Sequence, residues 1–73
     1  MRQSDLAAIV RARADLHSGA AMTARESSGL SASEMARALR VSRQAVWQWE
    51  RGLRVPSDVH ALGYAKALAA VSR

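Results

Sequence analysis

Ser42-Arg43-Gln44-Ala45-Val46-Trp47-Gln48-Trp49-Glu50-Arg51-Gly52 is the stretch from which the rest of the chain can be read. Ser42 suits a helix N-cap, because its hydroxyl can accept a first-turn N–H that has no partner within the helix. Gly52 suits the stop, because it enters the left-handed backbone region without steric cost. At about 100° per residue, Ala45, Val46, Trp49 and Glu50 share one arc of this helix. Arg43, Gln44, Trp47, Gln48 and Arg51 share the other. That outward arc is basic and carries no carboxylate at its centre. An Arg fork fits guanine O6 and N7, and a Gln amide fits adenine N6 and N7. A helix with such groups in front and an apolar stripe behind fits a DNA major groove.

Taken alone, the same helix reads as a solvated surface that happens to carry amides and arginines. The segment before it changes the balance. Ser31-Ala32-Ser33-Glu34 has the form of a capping box, in which Ser and Glu each satisfy the other's backbone N–H. It opens a short helix with Met35, Ala36 and Leu39 on one face. Arg40-Val41 then leads directly to the cap at Ser42. Two short helices so tightly joined must cross steeply, as in a helix-turn-helix.

These residues resemble the phage Cro and repressor-type (Xre-like) helix-turn-helix domains. The resemblance runs from about Arg25 to Leu68. It rests on Arg25, Gly29-Leu30-Ser31, Ala36, Val41-Ser42, Val46, Trp49-Glu50-Arg51-Gly52, Pro56-Ser57 and Ala65-Lys66-Ala67-Leu68. Their order and spacing carry it, since none is specific alone. The resemblance implies an all-α, compact, lambda-repressor-like bundle of about five helices that binds double-stranded operator DNA, usually as a homodimer. By position, Arg43, Gln44 and Gln48 correspond to base-reading side chains, and Arg25 with Glu50 to an internal salt bridge. Two positions depart from the pattern. Ala32 stands where relatives usually carry a phosphate-binding Gln, and Arg40 where they usually carry Gly. A left-handed non-Gly residue costs roughly 1 kcal/mol, so either the turn differs or Arg40 is kept as a further phosphate contact.

Composition sets the outer bounds. Seventy-three residues fit one small domain without a pocket of enzyme size. The net charge is +5 with a pI near 11.4, carried mostly by Arg. From residue 40 to 54 the local net charge is +3, with Arg40, Arg43, Arg51 and Arg54 opposed only by Glu50. Charge this concentrated is a footprint for a polyanion. The chain has no cysteine, so it has no disulfide framework and no thiolate zinc site. His17 and His60 are isolated and read as surface residues rather than metal ligands. No membrane-spanning run, signal-peptide core, nucleophile elbow or phosphate loop is apparent. An enzyme, a cofactor and a small-molecule substrate are not expected, and a cytoplasmic location in a bacterial or phage-infected cell is.

Ser4 to His17 reads as an N-terminal helical extension over residues 1–18, with the helix-turn-helix domain at 19–73. Ser4 would cap it and Asp5 would sit in its first turn. Its stripe is Leu6, Ile9, Val10 and Leu16, interrupted by Arg13. Ser18-Gly19 marks a break before a helix from Ala20 to Ser28. Ala21 and Ala24 are small for their expected core positions, and with no Phe in the chain, Trp49 and the N-terminal stripe are the available filling. Met22 and Met35 read as core or core-edge.

After Gly52, Leu53-Arg54-Val55-Pro56 is extended, because a residue before proline avoids the helical region. Ser57 caps a final helix with Asp58 in its first turn. That helix has one apolar arc of Ala61, Tyr64, Ala65, Leu68 and Val71, which matches the family's core face. A second arc of Val59, Leu62 and Ala69 is either a dimer surface or covered by the N-terminal helix. Gly63 between the arcs would admit another backbone.

The function expected is a Cro-like phage or prophage repressor. Arg43, Gln44 and Gln48 would read bases, Arg40, Ser42, Arg51 and Arg54 would hold phosphates, and Trp47 would line the groove edge. Trp47 has two other readings, a cation–π stack on Arg43 or Arg51 and cover for a neighbouring helix. For the whole protein, the alternatives are an antitoxin-type autorepressor and a protein-docking module whose basic face meets an acidic partner.

Overall fold

The computed structural model describes residues 2–71; the expected outer limits at 1 and 73 lie outside the described residues. Five helices follow one another: α1 (Gln3–Ser18), α2 (Ala20–Ser27), α3 (Ala32–Leu39), α4 (Arg43–Glu50) and α5 (Asp58–Val71). No strand occurs among the described residues. The long first and last helices pack on one another, and the three short helices complete the globule.

Local chemistry places most boundaries. Ser31 Oγ accepts from the Glu34 N–H at 3.0 Å, and Glu34 Oε1 accepts from the Ser31 N–H at 2.9 Å. These bonds hold the Glu34 carboxyl below its usual range, the backbone bond from Ser31 contributing most. Ser42 Oγ accepts from Ala45 N–H at 3.0 Å, and Ser57 Oγ from His60 N–H at 3.3 Å. The start of α1 differs from expectation. Arg2 occupies the N-cap in extended conformation without a side-chain cap, and Ser4 lies inside the first turn. The Leu6 N–H already bonds the Arg2 carbonyl at 3.0 Å, so the helix begins before Ser4 can cap it.

Three helices end in one device. The N–H groups of Leu30, Val41 and Leu53 each reach back to a carbonyl five residues earlier, at Arg25, Ala36 and Gln48. The residue before each has positive φ: Gly29, Arg40 and Gly52. This is the Schellman ending, which satisfies carbonyls that have no partner inside the helix. Arg40, at φ 57° and ψ 44°, adopts the conformation that glycine supplies at the other two ends. The turn between α3 and α4 thus keeps its geometry despite the substitution.

The main core joins Leu16, Ala21, Met35, Ala36, Val46, Trp49 and Tyr64. A smaller cluster, Ile9, Ala12 and Ala61, seals α1 on α5. The buried line of α1 is therefore Ile9, Ala12 and Leu16, whereas Leu6 and Val10 are 54% and 60% exposed. Ala12 takes the contact position in their place, buried with Ile9 and Ala61. Ala24 is exposed and is not a core position, while Ala21 is buried among the larger Leu16 and Trp49. At Gly63 the close neighbour is the Leu39 side chain, not another backbone; an added Cβ would lie 2.7 Å from Leu39 Cδ2.

Candidate nucleic-acid interface

The face of α4 turned away from the core is held from behind by a buried ionic knot. Arg25 on α2 donates from Nε to Glu50 Oε2 at 2.6 Å and from Nη2 to Oε1 at 2.9 Å. Its third nitrogen donates to the Leu30 carbonyl at 2.9 Å. Tyr64 on α5 completes the set, its hydroxyl donating to Glu50 Oε2 at 2.7 Å. Three helices thus meet at the last residue of α4. Both charged side chains are almost fully buried, and no buried side-chain polar atom among the described residues lacks a partner. Satisfaction of this kind is what makes a buried charge pair tolerable. The Glu50 hydrogen bond pushes the Arg25 guanidinium up, against burial. Burial and then the Glu50 bond push the Tyr64 phenol well above its ordinary range. Tyr64 was legible in the sequence only as a core residue; a buried phenol needs a hydrogen-bond partner, and that need was its one signal.

With Val46, Trp49 and Glu50 buried, α4 exposes Arg43, Gln44, Trp47 and, past its end, Arg51, while Gln48 is half-buried. Arg51 stacks over the Trp47 ring, its guanidinium carbon 5.2 Å from the ring centroid. Trp47 is 44% exposed, so it is not cover for another helix. Arg40 and Ser42 flank the start of α4 and Arg54 follows its end, all three exposed. The outward face is a continuous array of guanidinium and amide groups with one aromatic ring. Glu50, the only carboxylate from residue 40 to 54, points away and is neutralised by Arg25.

The loop after α4 is tied down by α1. Arg13 donates from Nε and Nη2 to the Pro56 carbonyl at 3.2 and 2.9 Å, and from Nη2 to Asp58 at 2.8 Å. The charge that interrupts the apolar stripe of α1 is thus a clamp on the loop that carries Arg54. His17 lies against Gly52 in the same loop. His60 is not the isolated surface residue its sequence suggested: it is half-buried, its ring 5.4 Å from that of Trp49.

Of the second arc of α5, Val59 is 76% exposed and Ala69 is exposed, while Leu62 is half-buried against the cluster of Ile9 and Ala12. No group of three or more His, Cys, Asp or Glu gathers at metal-binding distance among the described residues. No helix among them is long and apolar enough to cross a membrane.

A capped short helix, a Schellman turn and a second capped helix with a basic, amide-bearing outer face define a helix-turn-helix module for duplex DNA. Residues 22–73 match the helix-turn-helix family HTH_3, and the chain belongs to that family. It is an Xre/Cro-type DNA-binding protein, and HTH_3 is a family of DNA-binding regulatory domains rather than of enzymes. The match begins after α1. Comparison with curated proteins finds no match, and comparison with solved structures finds none.

Proposed function

We propose that this protein is a Cro-like repressor of phage or prophage type that binds a specific operator by seating α4 in the major groove. Family membership supports transcriptional regulation through DNA. The observation that carries the finer reading is the outward face of α4: Arg43, Gln44 and Arg51 are exposed and Gln48 is half-buried beside them, while its one carboxylate is buried on Arg25. Arg43, Gln44 and Gln48 read base edges, Trp47 lines the groove edge, and Arg40, Ser42, Arg51 and Arg54 hold phosphates. Residues 19–73 form the DNA-binding domain and residues 1–18 its N-terminal extension. Two copies associate through the exposed Val59 and Ala69, with the half-buried Leu62 between them reaching the surface only in part, and occupancy of the operator blocks polymerase in the cytoplasm.

Selection of bound duplexes from random DNA tests the reading. One preferred sequence should emerge, with affinity that falls steeply as salt rises. On that duplex, Gln44→Ala or Gln48→Ala should cost about 1–3 kcal/mol, with little loss on random DNA. Equal losses on both duplexes would remove these amides as readers.

A second reading, an antitoxin-type autorepressor, is favoured by one feature. Leu6, Val10 and Val59, on the two helices that pack together, are all more than half exposed. Apolar surface of this kind suits a protein partner. Co-purification of a distinct small protein encoded beside this one would select that reading.

A further inference from the structure

The outward face of α4 contains more than a row of polar groups. Arg43, Gln44 and Trp47 line a shallow concavity on the protein surface. Its spacing is helical: Trp47 follows Arg43 by four residues and Gln44 by three, so the three side chains meet on adjoining turns. A helical side chain covers the turn N-terminal to its own Cα, which directs the indole toward Arg43 and Gln44. Arg51 is stacked over the indole from the other side of the sequence and is itself in contact with the Met22 sulfur at 3.7 Å. The ring is thus braced by a cation over one face, and part of its exposed surface borders the concavity.

The concavity has a mixed chemistry. Trp47 supplies an apolar wall, whereas Arg43 and Gln44 supply hydrogen-bonding groups at its rim. A purely polar ligand would leave the indole wall without use, and a large apolar ligand would strip water from a guanidinium. The group that matches is small, apolar and set beside hydrogen-bonding base edges. In the major groove that group is the methyl at C5 of a pyrimidine, which adjoins the donors and acceptors that Arg and Gln read. The geometry points to a site for a pyrimidine 5-methyl group, walled by Trp47 and flanked by Arg43 and Gln44. Thymine and 5-methylcytosine both carry that group. The inference rests on the reading of α4 as a major-groove helix and adds to it a specificity-determining role for Trp47.

The experiment uses the full-length protein and the duplex selected from random DNA. Each thymine is replaced singly by uracil, which deletes the methyl and leaves every hydrogen-bonding group in place. Each cytosine is methylated singly at C5, which adds the same group and changes nothing else. One thymine-to-uracil exchange per half-site should weaken binding about fourfold, the equivalent of one methyl-sized apolar group. A fourfold gain on methylation of one cytosine would instead identify 5-methylcytosine as the source, and would equally support the site. In Trp47→Ala the two members of the responsive pair should bind alike. The melting temperature of that variant reports that it is folded, and the comparison on the unaltered protein stands without it. Exchanges that leave affinity unchanged at every position on a selectively bound duplex would overturn the methyl site while leaving operator binding intact. A response that persists undiminished in folded Trp47→Ala would overturn the role of the indole. Absence of any preferred duplex would overturn both the operator reading and the site.

Discussion

The Tyr64 hydroxyl donates to the same Glu50 oxygen that Arg25 Nε reaches, at 2.7 and 2.6 Å. One carboxylate therefore ties α2, α4 and α5 together at the last residue of α4. Its two partners differ in kind: one is a charge that needs neutralising, the other a neutral donor.

That difference sets the order of two substitutions. Glu50→Ala leaves the buried Arg25 cation unpaired and should destabilise the fold by about 3–5 kcal/mol. Tyr64→Phe removes one hydrogen bond to a charged group but leaves the ion pair, and should cost about 1.5–3 kcal/mol. Denaturant unfolding measures both. A Tyr64→Phe loss equal to that of Glu50→Ala would show that the phenol, not the ion pair, dominates the knot.

The same bond makes an alkaline limit. Tyr64 has its folded-state pKa raised above the ordinary 10.0 by burial and by the Glu50 bond. A raised pKa means that the contribution to stability is full below the unfolded value and is lost as pH rises beyond it. Stability should therefore fall above about pH 10, the ordinary phenol value. In Tyr64→Phe that part of the decline should vanish. Thermal melts of the two proteins from pH 8 to pH 11 check it, and parallel curves would assign the alkaline loss elsewhere.

Arg40 holds a glycine's conformation, and substitution tests the phosphate contact proposed for it. Arg40→Gly relieves roughly 1–2 kcal/mol of left-handed strain but adds roughly 0.5–1 kcal/mol of chain entropy to the unfolded state. Stability should stay within about 1 kcal/mol of wild type or rise slightly. The slope of affinity against salt should nevertheless drop by about one unit, as one phosphate contact is lost. An unchanged slope would take Arg40 out of the interface.

Val59 tests the assembly without disturbing the core. It is 76% exposed, whereas its neighbour Leu62 packs on α1, so a charge at Val59 meets solvent in the monomer. Val59→Glu should melt like wild type, sediment as a monomer and bind half-sites singly. The wild type should bind a palindrome cooperatively, with its two α4 helices roughly 34 Å apart. Wild-type protein that stays monomeric on a palindrome would end the dimer proposal.

Local chemistry was enough to draw most elements of this protein, the start of α1 excepted, where Arg2 and not Ser4 takes the N-cap position. Ser31, Ser42 and Ser57 each mark a helix start, Gly52 marks an end and Gly19 a break, because caps and left-handed stops act within a few residues of chain. The two arcs of α4 followed from its period, with Val46, Trp49 and Glu50 buried and Arg43, Gln44 and Trp47 exposed. Glu50, however, is buried by its pairing with Arg25 and Tyr64 and not by apolarity. Packing between distant residues was a different matter. Nothing local indicated that α1 would bury Ala12 while exposing Leu6 and Val10, because that choice depends on how closely α5 can approach. Nor could spacing reveal that Arg13 would grip the Pro56 carbonyl, 43 residues away. Tyr64 on Glu50 belongs with these. A buried polar group must find a partner, but which partner is fixed only when helices far apart in sequence converge.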